Sequence, residues 1–389
     1  MFTSILVPTL VATTVLASSL QIKQRKDPDT GLVWIYKDPS LPKVMIYNTG
    51  DGTILSGSSN GRLDTINYGG GSGGLTPETL ITNVGEVLDI AQFAVRNISG
   101  TSSANADSDR FLNISMDAHH RLCSRHSDIV GAVMIHGTNT LAETAFGVDL
   151  TLNCSKPFIV TGSMRPNSAM SPDGPMNFYS AVRTAIHPEG RDRGAMIAFN
   201  DHLVSVFYGT KTNGNTVSTF LATDQGYIGQ FLSGQPYFFY GPSLPKARHY
   251  FNPFKLTYPL PKVVVLYGHQ GFDAGLLRAA AADGAKGIII MGVGPGALST
   301  AADEAAKNLS KKGVITVASL RPSFGAVVPG PQLSNIISSG FLHGEQSRIQ
   351  LQLAMASGYD VDDIRKLFEG DIRAAVYNKA TAFYNGTTL

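Results

Sequence analysis

Cysteine is nearly absent from this chain: two residues among 389, alongside a single tryptophan. That scarcity excludes a disulfide-dense scaffold and, with no Cys-x-x-Cys or His-Glu-x-x-His spacing, the common zinc frameworks. The adjacent pair His119-His120 is a poor substitute, because neighbouring side chains on one segment diverge. No metal is therefore expected. Charge is also sparse, at 15% of residues with a net +2, and no Lys/Arg stripe is present, so nucleic acid is not an expected partner. Beyond residue 20 no apolar run is long enough to cross a bilayer, which leaves no membrane span in a mature form. The turn Gly292-Val293-Gly294-Pro295-Gly296 lacks the Lys-Ser/Thr that completes a phosphate-binding loop and the spacing of a dinucleotide site. No cofactor is implied, and no repeat of 20–50 residues is found.

What remains is an ordinary globular composition, 43% hydrophobic, long enough for two domains. Residues 2–20 carry no charge and end on Val15-Leu16-Ala17 before Ser18-Ser19, which reads as a signal peptide over 1–17 and a secreted protein. Cys123 and Cys154 fit an oxidising compartment in which they pair, although the count of two leaves free buried thiols open. Asn-x-Ser/Thr sequons begin at Asn97, Asn113, Asn153, Asn308 and Asn385.

The pattern along the chain is α/β. After a lead-in segment over 18–40 comes Val44-Met45-Ile46-Tyr47, a short buried strand closed by the turn cluster Asn48-Thr49-Gly50-Asp51-Gly52. A Gly/Ser-rich stretch over 56–74, holding Tyr68, has the composition of a lid. Leu80–Val95 carries helical spacing, and Phe111–Ile114 reads as a strand ending at Ser115. Further apolar runs at Ile129–Ile135, Phe158–Gly162 and Ala195–Phe199 alternate with helical segments, which argues a largely parallel sheet covered on both faces. These make an N-terminal catalytic domain over 41–240. A proline-rich linker spans 241–260, and a smaller flavodoxin-like α/β unit of about four strands occupies 261–389.

The stretch Ile135-His136-Gly137-Thr138-Asn139-Thr140-Leu141 organises the rest. A buried strand that ends at a glycine and opens a helix leaves the intervening side chains at the carboxyl end of a sheet, where open α/β folds bind ligands. Thr53, Ser115, Thr138 and Asn139 all fall just past expected strand ends, and Lys211 lies in the loop Gly209-Thr210-Lys211-Thr212-Asn213. A hydroxyl needs a neighbour to take its proton before it becomes a useful nucleophile, and a buried lysine can be that neighbour. A Thr–Lys pair is chemically sufficient for amide cleavage.

The stretches Gly162-Ser163-Met164-Arg165-Pro166 to Ser171-Pro172-Asp173-Gly174-Pro175-Met176-Asn177, and His136 to Ala145, resemble the signatures of the secreted type II L-asparaginase/glutaminase family, Thr-nucleophile amidohydrolases. Gly52-Thr53-Ile54 and Thr210-Lys211-Thr212-Asn213 are similar to two more of its motifs, and weaker similarity runs from residue 40 to about residue 370. The resemblance implies Thr53 as nucleophile, Tyr68 as its assistant, and Thr138 with Lys211 as the activating pair. It implies Ser115 as a grip on the substrate carboxylate, a Cys123–Cys154 disulfide, a small-molecule amide substrate and a homotetramer with sites between adjacent subunits.

Departures from the family pattern cluster on one function. Asn139 stands for an acid, Met116 for a glutamine and Pro295 for an asparagine, and no acid occurs in Pro329-Gly330-Pro331-Gln332. Those family positions hold the substrate ammonium group. Asn139 also leaves Lys211 without a counter-charge, which implies a lowered lysine pKa. The expectation is amide hydrolysis with weakened ammonium recognition; the alternative is a catalytically silent binding protein on the same scaffold. Asn113 is expected to be unglycosylated, as a glycan beside Ser115 would crowd the pocket.

Overall fold

The computed structural model describes residues 21–50, 52–69, 74–98, 102–330 and 335–377. The signal segment, Asp51, Pro331-Gln332 and the sequon at Asn385 lie outside these. Among the described residues no helix is long and apolar enough to cross a membrane.

Two sheets carry the fold. The larger contains β1 (Lys23–Lys26), β2 (Val33–Tyr36), β3 (Lys43–Asn48), β4 (Gln92–Asn97), β5 (Ile129–Ile135), β6 (Phe158–Thr161), β7 (Ala195–Phe199) and β8 (His202–Ser205). A two-stranded ribbon, β9 (Gly209–Lys211) with β10 (Phe220–Ala222), stands apart from it; β11 (Gly229–Leu232) and β12 (Gln235–Phe238) complete its far edge. The order is β1-β2-β4-β3-β5-β6-β7-β8-β11-β12, with the central five strands, β4-β3-β5-β6-β7, parallel. The expected lead-in is therefore in part a hairpin, β1–β2, laid antiparallel on β4.

Central strands are apolar on both faces because both faces are covered. In β3, Val44 and Ile46 enter one core while Met45 and Tyr47 enter the other. The covering helices are α1 (Pro77–Asn83), α2 (Ser108–Arg121), α3 (Leu141–Thr151) and α4 (Gly174–Ile186). The second sheet, β13 (Val263–Tyr267), β14 (Gly287–Gly292), β15 (Ile315–Leu320) and β16 (Ile336–His343), is parallel throughout and runs in sequence order. Its helices are α5 (Gly275–Ala282), α6 (Thr300–Ser310), α7 (Gly344–Ala356) and α8 (Val361–Tyr377). Helix α3 is buried nearly all round because α7 packs on it from the second domain. One core thus spans both domains, from Met45 to Val317.

Two expected elements differ. Phe111–Ile114 is the middle of α2, not a strand: Phe111, Ile114, Ala118 and Leu122 are buried at helical spacing behind an Asp107 N-cap. The helical run expected over Leu80–Val95 stops at Asn83, followed by a short 3-10 turn and then β4. Pairing with β3 and β2 on either side outweighs the local periodicity there.

The disulfide between Cys123 and Cys154 is present, with Cα atoms 5.5 Å apart, and ties the end of α2 to the segment after α3. Closing a loop of that length stabilises a fold by about 2–4 kcal/mol.

Candidate active site

The chain runs from β3 to β4 on one side, then returns to place β5 on the other side of β3. The crevice between the carboxyl ends of β3 and β5 is thus the switch point of the sheet, where open α/β folds take their ligands. Thr53 follows β3 and Thr138 follows β5. Their two turns touch: a Cβ on Gly52 would lie 3.1 Å from the Gly137 nitrogen. Only a residue without a side chain leaves that approach undisturbed.

Thr53 opens a 3-10 turn and is 5% exposed. Its hydroxyl donates to the Tyr68 hydroxyl at 3.0 Å. Tyr68 is 39% exposed, at the end of the described part of the glycine-rich stretch. Across the crevice, Lys211 Nζ donates to Thr138 Oγ1 at 2.9 Å, and Thr138 is also buried. Desolvation lowers the Lys211 pKa below its ordinary 10.5, with no charged neighbour among the described residues contributing. The direction agrees with the expectation, and the cause is burial.

The long motif after β6 builds the crevice floor rather than reaching into it. Asp173 accepts from the Met164 and Arg165 amides at 3.0 and 2.9 Å, and Asn177 donates to the Gly162 carbonyl at 3.0 Å. Gly174 lies against Ile54, directly under the Thr53 turn, and Gly162 against the His136 carbonyl. His136 itself is fully buried, with Nδ1 2.7 Å from the Gly137 oxygen, and burial pushes its pKa down to about 4.

Asn139 is exposed and lines a cleft of about 290 Å³ that also meets Glu143, Lys211 and Glu345. Burial, with Glu345 adding to it, raises the Glu143 pKa, opposed by Arg348. Pro295 sits in the turn after β14, bracketed by the Val293–Ala297 bridge.

Ser115 and Met116 are corrections. Both lie on α2; Ser115 is fully buried with its Oγ 2.7 Å from Thr151 Oγ1, and Met116 packs on the apolar core. Neither side chain is free to hold a substrate. The same shift removes the reason to expect Asn113 bare, as its side chain points outward from α2. The place expected for Ser115 is occupied instead by the short turn Ser103–Asn105 between β4 and α2. Ser103 Oγ would lie 2.6 Å from a Cβ on Gly137, and its carbonyl accepts from Thr140 at 2.7 Å. Ser102 caps this turn through the Ala104 amide. The Ser102-Ser103 pair follows a strand that pairs with β3, and reading β4 as helix concealed it.

Two hydroxyls, one bonded to a phenol and one to a desolvated amine, therefore lie at one switch point of the sheet. Residues 43–244 match the family described as Asparaginase, N-terminal, and residues 262–368 the Glutaminase/Asparaginase C-terminal domain. The L-asparaginase 2-3 of Saccharomyces cerevisiae is 38% identical over 338 residues, covering 86% of this chain and 91% of the relative. The L-asparaginase 2 of Bacillus subtilis is 35% identical over 84% of this chain and 86% of its own. The crystal structure of a probable cytoplasmic L-asparaginase from Campylobacter jejuni superposes with a TM-score of 0.78 at 31% identity, covering 84% of this chain and 99% of that one. The chain belongs to the asparaginase family of amidohydrolases.

Proposed function

We propose that this protein hydrolyses the side-chain amide of a small molecule, with Thr53 as nucleophile. The observation that carries the reading is the pairing of Lys211 with Thr138 beside the Thr53–Tyr68 pair at one switch point. Thr53 Oγ1 attacks the amide carbon, its proton passing to Tyr68, which returns one to the departing nitrogen. Ammonia leaves and an ester on Thr53 remains. Water then attacks the ester; its proton passes through the Thr138 hydroxyl to neutral Lys211, which returns it by the same route to the departing Thr53 oxygen as the acid is released, so that Lys211 and Thr53 both end as they began. Ser102 and Ser103, in the turn that meets Gly137, are the candidates to hold the substrate carboxylate. The ammonium group meets an amide at Asn139 where the family resemblance implies an acid, so recognition of a free amino acid is weakened. Secretion belongs to the same proposal, supported by the uncharged leader and the Cys123–Cys154 bridge. So does a homotetramer, supported by the exposed aromatic edge Tyr237, Phe239 and Tyr240.

The test is ammonia release from L-asparagine, L-glutamine and α-N-acetylasparagine by the purified mature chain. Turnover of at least one is expected. Ligand-induced stabilisation with no ammonia from any of them would favour a silent binding protein instead.

A further inference from the structure

A second cavity lies at the domain junction, away from the Thr53–Thr138 crevice. It measures about 220 Å³ and is bounded by Phe207, Tyr208, β16, α7 and α8. Its wall is apolar, formed by Phe207, Leu342, Leu367, Phe368 and Ile372. Two polar side chains interrupt that wall. Gln350 on α7 is 1% exposed and Ser339 on β16 is 2% exposed. The Gln350 Oε1 and the Ser339 Oγ are both buried with no hydrogen-bond partner among the described residues. Buried polar atoms are overwhelmingly paired, and a buried acceptor left alone costs about 1–3 kcal/mol. Two such atoms in one cavity wall define a place for a donor. At the rim Lys246 and Asp371 face one another at 3.7 Å, so the formal charges there are already opposed and the interior is neutral.

We propose that this cavity binds a small neutral ring compound carrying one hydrogen-bond donor, of the phenol class. The volume suits a single ring, since apolar cavities of about 150 Å³ hold benzene. The ligand's hydroxyl would donate to Gln350 Oε1, and the ligand's oxygen would accept from the Ser339 hydroxyl. Such a ligand would touch Phe207 and Tyr208. Gln346, one helical turn before Gln350, donates to the carbonyls of Phe207 and Gly209 at 3.0 and 3.3 Å. Gly209 begins the strand that ends at Lys211, so an occupant would rest against the segment that sets the lysine.

Calorimetric titration of the full chain with phenol and with anisole, which keeps the ring and loses the donor, tests this without turnover. Phenol is expected to bind about tenfold or more tightly than anisole. Gln350→Met should abolish that preference while retaining ring binding. Ile372→Trp, at the partly exposed rim, should block both ligands, and circular dichroism establishes that each variant is folded. Equal affinity for phenol and anisole, no binding of either below about 10 mM, or unchanged phenol binding by folded Ile372→Trp would each overturn the proposal.

Discussion

Lys211 Nζ donates to Thr138 Oγ1 across 2.9 Å, joining a ribbon strand to the end of β5. Desolvation lowers the lysine pKa, and no acid among the described residues offsets it. The rate should therefore rise with pH on a limb whose apparent pKa lies below 10.5, the ordinary lysine value. Lys211→Met should remove that limb and reduce kcat by about 10²–10⁴. A pH–rate profile of the variant that keeps the same ascending limb would assign the base elsewhere.

His136 governs acid stability. Its folded pKa, about 4, lies below the ordinary histidine value of 6.5, so between those values the unfolded chain binds more protons than the folded one. Stability then falls as pH falls through that window, by on the order of 3 kcal/mol for this residue. Urea denaturation at a series of pH values should show the decline. His136→Gln should flatten it, whatever it does to stability at pH 7.

The approach of Gly52 to Gly137 sets the spacing between the two threonine turns. Gly52→Ala must push backbone against backbone. A displacement of about 1 Å costs roughly 10²-fold in rate when reacting groups are positioned. Kinetics of the folded variant should show that loss mainly in kcat, whereas Gly241→Ala, where a Cβ meets nothing within 4 Å, should not.

These dependences were unequally legible in the sequence. Thr53 and Thr138 stood out because each follows a glycine where an apolar run stops, Lys211 because it lies in a Gly/Thr/Asn-rich loop, and the parallel strands were visible as continuous apolar runs. Ser115 and Met116 were misplaced because four apolar-rich residues, Phe111–Ile114, fit a short strand as well as one turn of a helix. The Asp107 cap and the spacing to Ala118 and Leu122 distinguish the two. Missing β4 hid the Ser102–Asn105 turn, because its place beside Gly137 follows from sheet order rather than from any local motif. The Gln350–Ser339 cavity joins two elements of the second domain to the first, and no local pattern marks it.

Asn139→Asp places a carboxylate at the mouth of the cleft that Lys211 also lines. Preference for free over α-N-acetylated asparagine should rise by about tenfold, the worth of one charge-assisted hydrogen bond. The same acid should raise the Lys211 pKa and move the pH limb upward. The ratio of kcat/KM for the two substrates, measured in wild type and variant, reads the first effect. An unchanged ratio would remove position 139 from ammonium recognition.

The central claim is that Thr53 carries the covalent bond. Rapid acid quench during turnover, followed by peptide mass spectrometry, measures it directly. With Lys211→Met slowing release of the ester, the acyl mass should appear on the peptide holding Thr53, and it should vanish in Thr53→Ala together with ammonia production. An acyl group found on Thr138 instead, or undiminished ammonia release by Thr53→Ala, would contradict the account.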